Sequence, residues 1–474
     1  MARLWRAKAR GACTAIVDCL VGVRDAAVRN DGTTIAARAI AATAACMKIV
    51  LTGATGFIGN RLRRALFEAG HEVVCMGRHA DPARPCHAWV AADCAAPQSA
   101  AWAHALAGAH CVINTVGLLR ESSRARFSDL HGGGPRALFD ACVDAGVSRV
   151  IHFSALGAEA TASTEFQRSK HALDEYLMGL PLQAFIVQPS LVFGLDGASS
   201  RHLLTLASLP LLPLPARGDQ WLQPIHVDDV VAAVLALLLV PMPQPPLRRV
   251  PLVGAHPITL ADYLHALRRG LQLGRGVELP VPALLMRGIA RLGDAWPRAL
   301  LDSPAWSLLQ RGSIAPPQMV TALLMRPPRP ASGFIAPEQA ADARRDAQLR
   351  WLLPLARASL AFVWIASGVV ALGIYSSALA LLGRAGVPAE MQSGLLIGAA
   401  LLDLVLGLLT LWPVSRPRLL WLLQALLILT YTAIVSWRLP EFWLHPFGPL
   451  AKNVPMLALL GLLSALGPTR PARR

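Results

Sequence analysis

Lys48-Ile49-Val50-Leu51-Thr52-Gly53-Ala54-Thr55-Gly56-Phe57-Ile58-Gly59 is the stretch from which the rest of this chain is read. Its first five residues are a short apolar run, which predicts a buried strand. Three glycines at three-residue spacing follow, and an amphipathic pattern then continues to Ala69, so the run turns directly into a helix. In that setting the first glycine permits the tight turn, the second lets a pyrophosphate approach the backbone, and the third lets helix and sheet pack closely. The free N–H groups at the helix start favour phosphate.

Working outward, Glu72–Met76, Cys111–Asn114, Arg149–Phe153 and Gln183–Val187 repeat the pattern of a short apolar strand, each separated from the next by a helical stretch. Strands alternating with helices predict a parallel, doubly wound sheet. Residues 195 to 340 are less regular and rich in Pro and Leu, and are expected to form a smaller lobe that closes over the cofactor. After the basic juncture at Arg344, Arg345 and Arg350, four apolar segments follow: 358–382, 393–412, 419–437 and 447–467. Each approaches the roughly 20 residues that a helix needs to cross a bilayer. The expected fold class is therefore α/β, a Rossmann-type doubly wound parallel sheet with a small second lobe, followed by an all-α four-helix transmembrane bundle. The expected organisation is an extension at 1–46, a nucleotide-binding domain at 47–250, its second lobe at 251–340, a basic linker at 341–352 and the membrane domain at 353–470.

Composition narrows the function classes. The formal charge is +16 over 474 residues, with 54% hydrophobic residues. The arginines are scattered through Ala- and Leu-rich segments, and no recognition motif for nucleic acid accompanies them. Arg416 and Arg418 lie between the second and third spans, and Arg470, Arg473 and Arg474 follow the fourth. The other two loops carry Arg384 and Arg438, each accompanied by an acid. This asymmetry places both termini and the nucleotide domain in the cytoplasm, at a bacterial-type inner membrane. The eight cysteines all fall in the first third and include no C-x-x-C pair, which argues against a disulfide framework and against a zinc site. Residues 1–46 lack the continuous apolar core of a secretory signal, and Met47 is a candidate start.

The G-x-x-G-x-x-G spacing resembles the extended and atypical short-chain dehydrogenase/reductases, and the likeness runs from residue 47 to about 250. It implies cofactor contacts from Gly53, Thr55, Gly56, Phe57, Ile58 and Gly59, and from Asp93 at the adenine. Asn114 and Gly117 are implied beside the cofactor, within Asn114-Thr115-Val116-Gly117. Gln188-Pro189-Ser190 and Gln223–Asp229 match two later landmarks, and His226–Asp229 is expected to cap a helix. The end of the second strand decides the nucleotide: Met76-Gly77-Arg78-His79 holds no acid for a ribose 2′-hydroxyl, and Arg78 suits a 2′-phosphate. NADP(H) is thus expected over NAD, the alternative being that Arg78 is a solvated loop charge.

The catalytic pattern of that family is Tyr-x-x-x-Lys, one helical turn apart. This chain reads Phe166-Gln167-Arg168-Ser169-Lys170, so the Lys is kept and the Tyr is lost. Of its four tyrosines, Tyr375 and Tyr431 lie in spans, Tyr263 lies in the second lobe, and Tyr176 falls on another face of the Lys170 helix. The resemblance leaves Ser154, at the end of the fifth strand, and Lys170 as catalytic candidates. Lys170 also binds ribose in that scheme. The alternative for Ser154 is a strand-end hydroxyl satisfied by backbone.

The C-terminal block resembles the DoxX-like membrane family. Within it, Asp403 and Lys452 are charges at membrane depth and are expected to pair. The readings that follow are a membrane-tethered oxidoreductase or epimerase on an apolar substrate, or a non-catalytic nucleotide-binding sensor or assembly factor like the dinucleotide-fold accessory subunit of respiratory complex I. A third reading places quinone chemistry in the bundle, where no haem- or metal-ligand spacing supports it. Expected partners are a nicotinamide nucleotide, the bilayer and a quinone or other apolar substrate, with no metal and no nucleic acid.

Overall fold

The computed structural model describes residues 46–78, 86–93, 99–118, 126–240, 248–295, 301–412, 414, 416–444 and 448–467. The expected N-terminal extension, apart from Cys46, and the terminal arginines lie outside those residues. The chain divides into two compact units at Arg344/Arg345.

The first unit is built on seven strands: β1 (Lys48–Thr52), β2 (Glu72–Gly77), β3 (Ala88–Ala91), β4 (Cys111–Asn114), β5 (Arg149–Phe153), β6 (Gln183–Pro189) and β7 (Arg249–Leu252). They lie in the order β7-β6-β5-β4-β1-β2-β3, and every pairing is parallel. The doubly wound sheet read from the sequence is therefore the fold observed.

Alternating side chains explain why the apolar runs are continuous. Ile49, Leu51, Val73, Cys75 and Ile113 face one core, whereas Val50, Val74, Met76 and Val112 face another. A sheet covered on both faces needs apolar residues at both phases of the strand. The first core is closed by α1 (Phe57–Glu68) through Leu62 and Leu66. The second is closed by α2 (Ser99–Leu106), α3 (Gly134–Asp144) and α4 (Glu165–Gly179), through Trp102, Phe139 and Leu173 among others. Helix α5 (Val227–Leu239) returns to the first core, and the helix Gln318–Leu324 adds Met319, Val320 and Leu323 to it.

The chain runs from β1 outward to β3, then crosses back to β4 on the other side of β1. That reversal opens a crevice at the carboxyl ends of β1 and β4, the place where doubly wound sheets bind ligands. The segment beyond β6 adds short ladders, of which Leu211–Pro215 with Val277–Val281 is parallel and Trp221–Leu222 with Ile258–Thr259 is antiparallel. The end of His226 is as expected: it caps α5, accepting from the Asp228 amide at 3.2 Å.

The second unit is helical: α6 (Pro337–Gly373), α7 (Tyr375–Arg384), α8 (Ala389–Leu411), α9 (Pro417–Arg438) and α10 (Asn453–Leu466). Three of these, α6, α8 and α9, are long and apolar enough to cross a membrane. The expectation of four crossing helices is not reproduced. Helix α10 has 14 residues, so at ~1.5 Å per residue it spans about 21 Å, short of the ~30 Å hydrocarbon core.

Close packing of α6 and α8 uses small residues, since a Cβ on Gly407 would lie 2.6 Å from Ile365 Cγ1 and one on Gly368 would lie 2.7 Å from the Ala400 carbonyl oxygen. A buried polar chain then joins three helices. Trp364 donates to Gln424 at 2.9 Å, and Gln424 donates to Thr410 at 2.8 Å.

The expected pair of Asp403 and Lys452 is absent among the described residues. Asp403 is buried and accepts from Ser367 Oγ at 2.7 Å, with its second oxygen unpartnered. Lys452 is exposed and precedes the first turn of α10 instead of lying within a span.

Candidate functional site

The site begins at the β1–α1 turn. Gly53 sits at φ +72°, a left-handed conformation that favours glycine, and its carbonyl accepts from the Gly56 amide at 2.9 Å. A Cβ on Gly53 would lie 2.6 Å from Thr115 Oγ1, and one on Gly59 would collide with the Gly53 carbonyl oxygen. The two glycines thus let the β4 turn and α1 close on the loop. Thr55 and Gly56 are exposed on it, while Phe57 and Ile58 are half-buried. The N-cap of α1 is Gly56, which has no side chain to cap it, and the first turn holds no acidic residue, so no carboxylate there opposes an anion. Phe57 packs under Gly194, where a Cβ would come within 2.8 Å of the ring, and Arg61 lies over the same ring while pairing with Asp196 at 2.5 Å.

The other expected residues lie along the same carboxyl edge of the sheet. Arg78 follows β2 and Asp93 lies just beyond β3, both exposed. His79 and Asp81 are outside the described residues. Asn114, at the end of β4, is fully engaged in holding the switch point. It accepts from Thr52 Oγ1 at 2.7 Å and from the Val116 amide at 3.1 Å, and its amide nitrogen meets His152 Nδ1 at 3.2 Å. Gly117 keeps the crevice open, since a Cβ there would be 3.3 Å from Lys170 Nζ.

Lys170 is buried on α4. Its ammonium donates to the Phe153 carbonyl at 2.9 Å and to the Val116 carbonyl at 3.4 Å, so it bridges the ends of β5 and β4. Burial lowers its pKa to about 8, opposed by the negative charge of Asp174. Ser154 does not spend its hydroxyl on backbone: it donates to Asp174 Oδ2 at 2.6 Å. Asp174 is pushed up to about 6 by burial, while hydrogen bonds from Ser154 and Gln188 and the charge of Lys170 act in the opposite direction. Its other oxygen lies 3.7 Å from His152 Nε2, and neither atom has a hydrogen-bond partner. Because Asn114 uses its oxygen as a double acceptor, its NH₂ donates to His152 Nδ1 and leaves the proton on Nε2, facing Asp174.

Phe166 is half-buried, with its ring 5.7 Å from that of His131 and 6.2 Å from that of Phe127. His131 is itself buried, accepts from the Leu118 amide at 3.0 Å, and meets Ser169 Oγ at 3.0 Å. Burial first, and the charge of Lys170 second, hold its pKa down to about 3, so it is neutral. His171 points to Glu175 at 3.8 Å and takes no part in this cluster. Of the tyrosines in the first unit, Tyr263 is buried and Tyr176 donates to Asp140 at 2.5 Å.

Sequence reasoning did not find Asp174, His152 or His131 as members. Asp174 could have been found, because it lies one helical turn beyond Lys170 on the same face of α4. Nothing local marks His131, which reaches the site through a contact spanning 38 residues. Among the described residues there is no cluster of metal-ligating side chains.

Residues 49–246 match the NAD dependent epimerase/dehydratase family, and residues 361–461 match the DoxX-like family. The chain therefore joins a nucleotide-binding domain of the short-chain dehydrogenase/reductase type to a DoxX-like region, and that region with its three apolar helices indicates membrane association. A ceramide reductase of Caulobacter vibrioides is 28% identical over 276 residues, covering 54% of this chain and 80% of that protein. NADH dehydrogenase (ubiquinone) 1 alpha subcomplex subunit 9 of Mus musculus is 28% identical over 192 residues, 39% of this chain. The chain spans about half the length of that mitochondrial relative (51%). Among solved structures, a nucleoside-diphosphate-sugar epimerase of Staphylococcus aureus aligns with a TM-score of 0.50 at 17% identity, covering 61% of this chain and 99% of that one, and shows the fold alone.

Proposed function

We propose that this chain is a membrane-tethered oxidoreductase that binds NADP(H) in preference to NAD and acts on an apolar, lipid-like substrate. The observation that carries the proposal is the convergence of the glycine loop, Lys170 and the buried Ser154–Asp174 pair on one edge of the sheet. The glycine cradle and the Gly56 N-cap of α1, with no acidic residue in the first turn, fit a pyrophosphate. In this reading Gly53, Thr55, Gly56, Phe57, Ile58 and Gly59 hold the pyrophosphate, Arg78 takes the 2′-phosphate, and Asp93 reaches the adenine. Asn114 shapes the turn that presents Gly117 to the nicotinamide side, and Lys170 holds the ribose.

When bound, the nicotinamide supplies or accepts a hydride. The protein must handle the accompanying proton, and Phe166 cannot. In the reductive direction Ser154 Oγ turns its proton to the substrate oxygen, the 2.6 Å bond reverses so that Asp174, protonated on Oδ2, donates to Oγ, and Asp174 ends ionised beside Lys170. The ceramide reductase relative supports an apolar substrate by its name. A DoxX-like region would hold the site near the bilayer where such substrates reside, and the positions of Arg350, Arg416 and Arg418 support a cytoplasmic nucleotide domain at a bacterial inner membrane.

A second reading is a non-catalytic nucleotide-binding module. It is favoured by Phe166 and by the engagement of Lys170 with two backbone carbonyls. The two readings separate when the full chain, purified in mild detergent, is given NADPH with a panel of long-chain ketones, aldehydes and quinones. The proposal expects NADPH consumption that falls at least a hundredfold in Ser154→Ala with binding retained. Tight binding without turnover, identical in Ser154→Ala, would establish the second reading.

A further inference from the structure

At one end of the second unit, a cavity of about 510 Å³ opens where the early part of α6, the end of α8, the start of α9 and the end of α10 meet. Its walls are apolar, with Leu353, Pro354, Leu411, Pro417 and Leu463 among them, and Trp421 rises from α9. Three arginines line it, Arg350 and Arg357 from α6 and Arg418 from α9, and no carboxylate does. The three are not equivalent. Arg357 is anchored: it donates to the Thr410 carbonyl at 2.9 Å and lies 5.6 Å over the Trp421 ring. Arg350 and Arg418 make no hydrogen bond or ion pair among the described residues.

Two unpaired guanidinium groups over an apolar cavity have a defined chemical complement. Guanidinium presents a rigid fork of donors that matches phosphate oxygens, and among the described residues no group of the protein engages these donors. The start of α9 adds to this, because Pro417 sits in its first turn and no side chain caps it, so its positive dipole end also faces the region of the cavity. Carbonyls at the end of α8, which would repel an anion, are the ones Arg357 covers. The apolar walls lie beside the end of α8 and the start of α9, two helices long and apolar enough to cross a membrane, so a bilayer crossed by them would bring headgroups and upper acyl chains to this level. Basic pockets between helices at this depth suit acidic headgroups.

We propose that this cavity is a binding site for an anionic phospholipid, with the phosphate held by Arg350 and Arg418, the headgroup flanked by Trp421, and an acyl chain along Leu353 and Leu463. The site is separate from the nucleotide crevice and does not depend on the reaction proposed there.

Native mass spectrometry of the full, delipidated chain in mild detergent tests it, with phosphatidylglycerol, phosphatidylcholine and inorganic phosphate added in separate titrations. Expected is at least tenfold tighter retention of phosphatidylglycerol over phosphatidylcholine. That preference should fall at least tenfold in the Arg350→Gln/Arg418→Gln double variant. Both arginines are exposed, and unchanged thermal unfolding and NADPH binding of the double variant would show that its fold is intact. Arg350→Lys/Arg418→Lys should retain part of the preference, since charge survives while the forked geometry is lost. Equal retention of the two lipids, or a preference untouched in the double glutamine variant, would overturn the proposal. Displacement of phosphatidylglycerol by inorganic phosphate at equal concentration would also overturn it, because it would show a phosphate site with no use for the apolar walls.

Discussion

Ser154 donates its hydroxyl proton to Asp174 across 2.6 Å, with both side chains buried. A serine at a strand end ordinarily satisfies itself on nearby backbone. Here it is coupled to a carboxyl whose pKa is raised to about 6 by burial. If protonated Asp174 recharges Ser154, turnover in the reductive direction falls as pH rises through about 6, and Asp174→Asn both lowers kcat by about a hundredfold or more and removes that limb. A kcat–pH profile of the two proteins checks this. The same shift has a sign for stability. From 3.8 to about 6 the folded state keeps a proton that the unfolded state has lost, so the contribution declines as pH rises across that window. Thermal unfolding of Asp174→Asn should lack this decline.

Arg78, exposed at the end of β2, is the only residue on which the preference for NADP(H) rests. On the proposed assignment of Arg78 to the 2′-phosphate, replacing it with Ala would remove a charge-assisted contact of roughly 1.5–3 kcal/mol, or about 10- to 100-fold in Kd. NADH binding should stay within about twofold. Parallel fluorescence titrations decide it, and equal losses for both nucleotides would remove Arg78 from the site.

Phe166 packs beside His131 and Phe127, and its half-exposed position should tolerate a hydroxyl. Phe166→Tyr places a phenolic proton donor at the position where the Tyr-x-x-x-Lys pattern has one. In the Ser154→Ala background it should therefore raise turnover by about tenfold or more. No gain there, with the fold intact, would mean that the crevice places no substrate oxygen near this position.

In the membrane unit, Asp403 is held by Ser367 at 2.7 Å. Ser367→Ala leaves the carboxyl with no partner among the described residues, and should cost about 1–2 kcal/mol, measured by thermal unfolding in detergent. Lys452→Ala should cost nothing measurable. A loss with Lys452→Ala as large as with Ser367→Ala would restore the ion pair expected from sequence.

These cases show what was legible before the structure. The glycine loop and the strands were readable because their signals are local: a continuous apolar run for a doubly covered strand, and glycines at positions where a Cβ would strike Thr115 or Gly53. The retained Lys170 and lost Tyr were readable for the same reason. The proton path was not. Asp174 looks like one more acid on an amphipathic helix until Ser154, His152 and Lys170 arrive from β5 and α4 to surround it. Lys452 was misplaced because the apolar run of the last segment starts before its helix does. The helix begins at Asn453, which leaves the lysine at its end instead of within it.

The central claim is that the loop from Gly53 to Gly59 binds a nicotinamide dinucleotide. Titrating full-length protein with NADPH, in parallel with Gly59→Ala and with thermal unfolding as a control, tests it most directly. The account predicts saturable binding to the native chain and at least a tenfold loss in the variant, since the added methyl cannot fit between α1 and the Gly53 carbonyl oxygen. Absence of NADPH and NADH binding to the native chain, or undiminished binding in a folded Gly59→Ala protein, would contradict it.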